Sequence, residues 1–216
     1  LDLLINRGHL TLAITLLDLA GKISTSEQTL KISYTSKVAH LNYLLGNSQV
    51  AYNHYLKANK QEQNEKIDGY LYGFRGVTWL RFFLQLHRLN LVDQNSKNEF
   101  RSNDIDLIIQ FNKSISGRNN WIENVGRCLM LEIETEIARA NSRADLKDLE
   151  KRFKVPESIF RDGQLVEEIV ELIILKSYYF YKIGHFEKAI ETIEEVIPIC
   201  SNRGFKIQLI EATLLQ

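Results

Sequence analysis

A glycine followed five residues later by an alanine occurs three times with matching apolar surroundings: Gly8 and Ala13, Gly46 and Ala51, Gly184 and Ala189. Ile14, Tyr52 and Ile190 follow the alanines, then Leu17, Tyr55 and Ile193, then Ala20, Ala58 and Val196. Glycine ends a helix in the left-handed conformation at no steric cost, and a small alanine lets the next helix lie close against the first. The shared spacing therefore predicts antiparallel helix pairs joined by tight turns. Gly8 and Gly46 lie 38 residues apart, a period typical of helical repeats.

Weaker copies fill the interval. Trp79, Leu80, Phe83 and Leu86 form one helical stripe ending near His87. The polar run from Asp93 to Asp104 reads as an extended loop, with Asp104 as N-cap of a helix carrying Ile105, Ile108, Ile109 and Ile115. After a turn at residues 116–120, residues 121–140 read as another first helix and 143–153 as a short second one. Lys154 to Ser158 ("KVPES") reads as a break before the best-formed pair. Two prolines in 216 residues leave few forced interruptions. The expectation is an all-α chain, one domain over residues 1–216, of about five hairpins and a trailing half.

Composition excludes several classes of function. Lys plus Arg number 27, as do Asp plus Glu, so no net field favours nucleic acid or an acidic membrane. No apolar run is long enough to predict a membrane span. Cys128 and Cys200 lack metal-like spacing and read as free buried thiols of a reducing compartment, with a disulfide between them as the alternative. Asn112-Lys113-Ser114 is a glycosylation triplet by pattern alone. The opening residues lack a signal peptide's basic segment, and both ends fall inside helical patterns, so a piece of a longer protein is expected.

Chemistry-bearing motifs are not found. No phosphate-binding Gly-x-x-x-x-Gly-Lys-Ser/Thr loop occurs, and the five histidines include no pair at metal-ligand spacing. His9 and His185 each follow a turn glycine, which places both at exposed turns. Glu132, Glu134 and Glu136 alternate along a helix and read as a solvated face. Lys147, Lys151, Arg152 and Lys154 are interleaved with Asp145, Asp148 and Glu150, a pattern of ion pairs rather than a nucleic-acid patch. No catalytic residue, metal or cofactor is expected.

Gly184, Phe186, Ala189, Ile190 and Ile193 resemble the tetratricopeptide repeat. Residues 71–89, 118–140 ("RNNWIENVGRCLMLEIETEIARA") and 179–216 are similar to the C-terminal helical-repeat region of bacterial STAND-type signalling ATPases, nucleotide switches related to innate immune receptors. The resemblance implies a right-handed superhelix of antiparallel hairpins, a tetratricopeptide-like α-solenoid whose first helices line a concave groove. It also implies a cytoplasmic, non-catalytic sensor in signalling or antiphage defence, with a protein or peptide ligand and neighbouring domains of a parent chain as partners. His87 and Asn141 stand where turn glycines belong, and Pro198 comes early, so those turns are expected to differ.

Residues three and six before each turn share one helix face. They are Tyr43 with His40, Leu84 with Arg81, Ala138 with Thr135, and Tyr181 with Tyr178. His40, Tyr43, Arg81, Tyr178 and Tyr181 are the candidate ligand-binding set, because Tyr, His and Arg offer wide contact area and directional donors. Positions four and eight before the turns (Val38, Phe83 with Trp79, Ile137 with Ile133, Phe180) point to packing. Two other functions fit the same pattern: a free-standing adaptor or peptide-responsive regulator, and an all-α enzyme with an unrecognised site. The expected far-ultraviolet dichroism spectrum is dominated by helix; a strand-dominated spectrum would contradict the fold assignment.

Overall fold

The backbone at Gly8, Gly46 and Gly184 is left-handed, with φ of 71°, 79° and 82°. At each, the glycine N–H returns to the carbonyl three residues back and the next N–H to the carbonyl five back. His9 donates to Leu4 at 2.8 Å, Asn47 to Asn42 at 2.9 Å and His185 to Phe180 at 2.9 Å. This double closure satisfies helix-terminal carbonyls that would otherwise lack partners. The next helix then begins in the same register, with Ala13, Ala51 and Ala189 each donating to the residue after the glycine at 3.0 Å.

Three further turns close in the same way without matching the Gly-to-Ala pattern. Phe205 donates to Cys200 after Gly204, Trp121 to Ser116 after Asn120, and Leu165 to Phe160 after Gln164, at 2.8–2.9 Å. Asn120 and Gln164 hold φ of 58° and 55°, a region that costs a side chain about 1–2 kcal/mol.

The computed structural model describes residues 4–5, 7–23, 28–65 and 102–215. Two units divide the chain, residues 1–83 and 84–216. All regular structure among the described residues is helical. The first unit holds α1 (Leu10–Ile23), α2 (Gln28–Leu44) and α3 (Ser48–Glu65). The second holds α4 (Ser102–Arg118), α5 (Ile122–Arg139), two 3₁₀ turns (Arg143–Leu146 and Leu149–Phe153), α6 (Lys154–Asp162), α7 (Val166–Ile183), α8 (Phe186–Glu194), α9 (Val196–Arg203) and α10 (Lys206–Leu215). Trp79, Leu80, Arg81, Phe83, Leu84, Leu86 and His87 lie outside the described residues.

In the first unit α2 and α3 pair antiparallel across Gly46, and Ala13, Ile32, Ala39, Ala51 and Ala58 are buried. Ala13 and Ala51 occupy the close-packed sites that their spacing predicts. In the second unit the main core joins Met130, Ile133 and Ile137 of α5 to Leu172, Leu175, Tyr179 and Phe180 of α7. Leu146, Leu149 and Phe153 of the 3₁₀ segment close one side of it, and Phe160 of α6 another. Gly126 permits the α5–α6 contact, since a Cβ there would lie 2.7 Å from the Phe160 ring. A second core gathers Val170, Ile174, Ile193, Val196, Cys200 and Ala212.

Several local expectations are corrected. The "KVPES" stretch does not break the chain: it starts α6, with Pro156 buried in the first turn, where a missing N–H costs no helical bond. Asp104 lies within α4 rather than capping it, because that helix starts at Ser102. The segment after α5 is not a regular second helix. Ala140 turns extended (φ −61°, ψ 124°), and Asp145 then accepts the N–H groups of Asn141 and Ser142 at 3.0 and 2.9 Å. Those bonds, Ser142's first, hold the exposed Asp145 carboxyl below its ordinary range. Pro198 also acts locally: it lacks the N–H that would reach Glu194, and the helix pauses between α8 and α9 while its backbone stays right-handed.

The turn geometry makes a prediction for both glycines. A Cβ on Gly46 meets nothing within 4 Å, so Gly46→Ala should cost only the conformational penalty, about 1 kcal/mol. At Gly184 a Cβ would meet only the far end of the exposed Arg143 side chain, which can swing aside, so Gly184→Ala should cost a similar amount. A denaturation midpoint unmoved by either substitution would contradict this account of the turns.

Candidate functional site

The last two turns of α7 carry the most exposed part of the predicted ligand face. Leu172, Leu175, Tyr179 and Phe180 turn into the core, which leaves Tyr178, Tyr181 and Lys182 together on the other side. Tyr181 is 54% exposed and stands edge-on to Phe186 across the turn, with ring centroids 5.6 Å apart. Tyr178 is half-buried against the main core, and the Lys182 ammonium lies 5.4 Å from its ring centroid. Beneath this face the geometry is well anchored. The Tyr179 hydroxyl donates to the Leu146 carbonyl at 3.3 Å, and Ser177 Oγ donates to the Ala189 carbonyl at 2.8 Å.

The other candidates divide. His40 and Tyr43 are half-buried on one face of α2 in the first unit, apart in sequence and in unit from the α7 pair. Arg81 lies outside the described residues. On α5 the same phase is closed, since Thr135 is only 1% exposed and Ala138 half-buried. Ile133, Ile137 and Phe180 are buried, as positions four and eight before the turns require, while Val38 is half-buried. His9 and His185 both stand exposed at their turns.

The carboxylates of α5 depart from expectation. Glu132 is not simply solvated: it receives Gln110 and Lys113 at 2.9 Å and Arg152 at 3.4 Å, tying α4, α5 and the 3₁₀ segment together. Glu136 pairs with the same Arg152, and Glu134 is buried. Arg127 of α5 pairs with Glu168 of α7, both largely shielded from solvent. These charges are consumed in structure. A cleft of about 60 Å³ between α6, α7 and α8 has Ile169 and Leu172 in its wall and Glu157, Arg161, Lys176 and Glu195 at its rim. Glu157 there already binds Arg161 at 2.8 Å, with Lys176 at 4.0 Å.

Among the described residues no cluster of His, Cys, Asp and Glu has the makings of a metal site. No described helix is long and apolar enough to cross a membrane. Asn112 of the glycosylation triplet is buried within α4, where a glycan has no room. Cys128 and Cys200 are free and buried. Burial, then the neighbouring Glu132 carboxylate, pushes the Cys128 thiol up to about 11, so it is a poor nucleophile. Both thiols should therefore react with a soluble disulfide reagent only on unfolding. Rapid labelling of either in the native protein would contradict this packing.

Phe186 and Arg143 were not singled out for binding by sequence. Phe186 belongs to the turn motif and reads as packing there, and Arg143 comes from the irregular 3₁₀ segment, where helical phase gives no guide. No protein-family model, curated protein or solved structure matches this chain.

Proposed function

We propose that the chain is a non-catalytic protein- or peptide-recognition module, built as a right-handed tetratricopeptide-like α-solenoid. In this reading it is the sensor part of a STAND-like ATPase in bacterial signalling or defence. The observation that carries it is the exposed aromatic end of α7, where Tyr181 and Tyr178 are presented by a helix whose opposite face is locked into the core. Aromatic area on a rigid element binds a partner with little loss of side-chain freedom. In this reading His40, Tyr43 and Arg81 are further ligand contacts. Capture of a ligand with higher affinity for the assembled state would shift a neighbouring nucleotide switch towards that state. The two free thiols favour a reducing, cytoplasmic setting.

Peptide-display selection on the 216-residue protein tests the proposal. It should enrich sequences whose binding falls by about 2 kcal/mol or more on Tyr181→Ala, with the melting temperature unchanged. Tyr178→Ala should weaken binding too, but it also removes core contact and is the less clean variant. Failure to enrich any sequence, or enrichment indifferent to Tyr181, would overturn it.

A further inference from the structure

The seam between α4 and α5 differs in kind from the core between α5 and α7. Neither of the two cores described above draws a residue from α4. That helix packs on α5 and turns Ile109, Asn112 and Ser116 inward, spaced by three and four residues. Cys128, Leu131 and Thr135 of α5 have the same spacing. All six are buried, and the three on α5 lie on the side away from Met130, Ile133 and Ile137. Along the edge of the seam Gln110 and Lys113 reach Glu132 at 2.9 Å, and Arg139 reaches Asp106 at 2.9 Å.

Two features weaken this seam. Ser116 Oγ and Thr135 Oγ1 are buried without a hydrogen-bond partner, and each would gain one in water. The buried hydroxyls of α7 are satisfied instead: Ser177 bonds the Ala189 carbonyl and Tyr179 that of Leu146. The edge pairs are the second feature. Asp106 and Arg139 are 56% and 38% exposed, so dissolved salt screens their attraction. Opening this seam hydrates two orphaned hydroxyls and loses screened ion pairs. Opening α5 from α7 would instead lose an aromatic and aliphatic core together with satisfied bonds.

We propose that α4 is a detachable strap, which comes away from α5 by local unfolding while the core between α5 and α7 stays intact. The open form presents the Cys128, Leu131 and Thr135 face of α5 to solvent, and salt favours it. This conformational device is independent of the recognition function proposed above.

Single-thiol labelling of the full chain tests it. Cys200→Ala leaves Cys128 as the one thiol of the sequence. A soluble disulfide reagent should modify native Cys128 at least about tenfold faster than global unfolding of the same variant permits, with little dependence on denaturant at low concentration. The reaction should stay far slower than in unfolded protein, because the docked form excludes the reagent. Raising NaCl from about 0.05 to 0.5 M should speed it about threefold. Ser116→Ala and Thr135→Val remove the orphaned hydroxyls and should each slow it about threefold, while Lys113→Met should speed it by a similar factor. Amide exchange of the unsubstituted chain keeps the test decisive if Cys200→Ala fails to fold: amides of α4 should exchange at least about tenfold faster than those of α7. Labelling of Cys128 only as fast as global unfolding allows, faster labelling once the hydroxyls are removed, or equal protection of α4 and α7 would overturn the proposal.

Discussion

The backbone hydrogen bond that runs five residues back across each left-handed turn is the constraint on which the rest of this structure depends. It fixes where one helix stops, satisfies carbonyls that would otherwise be orphaned, and sets the start of the next helix two residues later. Six turns among the described residues share it, at Gly8, Gly46, Asn120, Gln164, Gly184 and Gly204. Once the turn is set, the residue five beyond it has a defined position against the preceding helix. Ala13, Ala51 and Ala189 are buried there for that reason.

Packing in the second unit follows from these turns and from one departure. Where Ala140 leaves α5 in an extended conformation, the chain runs through two 3₁₀ turns instead of a long helix. That segment is pinned from several sides. Leu146, Leu149 and Phe153 enter the core, Arg152 reaches Glu132 and Glu136, and Glu150 meets Lys188. Lys188 also lies 4.4 Å from the Phe180 ring centroid, so one ammonium joins α8 to both the core and the 3₁₀ segment. Exposed pairs of this kind contribute little energy singly, and apolar burial supplies most of the hold.

The glycine turns at residues 8, 46 and 184 were legible because only glycine adopts that backbone freely and because the spacing to alanine repeats. The turn at Asn120 was legible only as a polar break over residues 116–120, and the one at Gln164 was not legible, since residues with side chains carry no comparable signature. Pro156 was misread as a break because its place in a first helical turn depends on where α6 begins, which its neighbours do not reveal. Glu132 looked solvated on a helical wheel, but its partners Lys113 and Arg152 come from segments 19 and 20 residues away. Of the candidate site, Tyr181 stood out from helical phase alone, whereas Thr135 in the same phase is buried. Phase identifies a face, but tertiary packing decides whether that face meets solvent.

The exposed aromatic end of α7 draws its rigidity from the turn beneath it, so the turn bonds are the place to test the account. Amide hydrogen exchange at His9, Asn47, Trp121, Leu165, His185 and Phe205 reads them directly, because each N–H closes one turn. All six should exchange well below unstructured rates, with Trp121 and Leu165 protected like the four that follow glycine. Exchange of Trp121 and Leu165 at unstructured rates, beside protection at the glycine turns, would show that the chain does not share a common turn and would contradict the account.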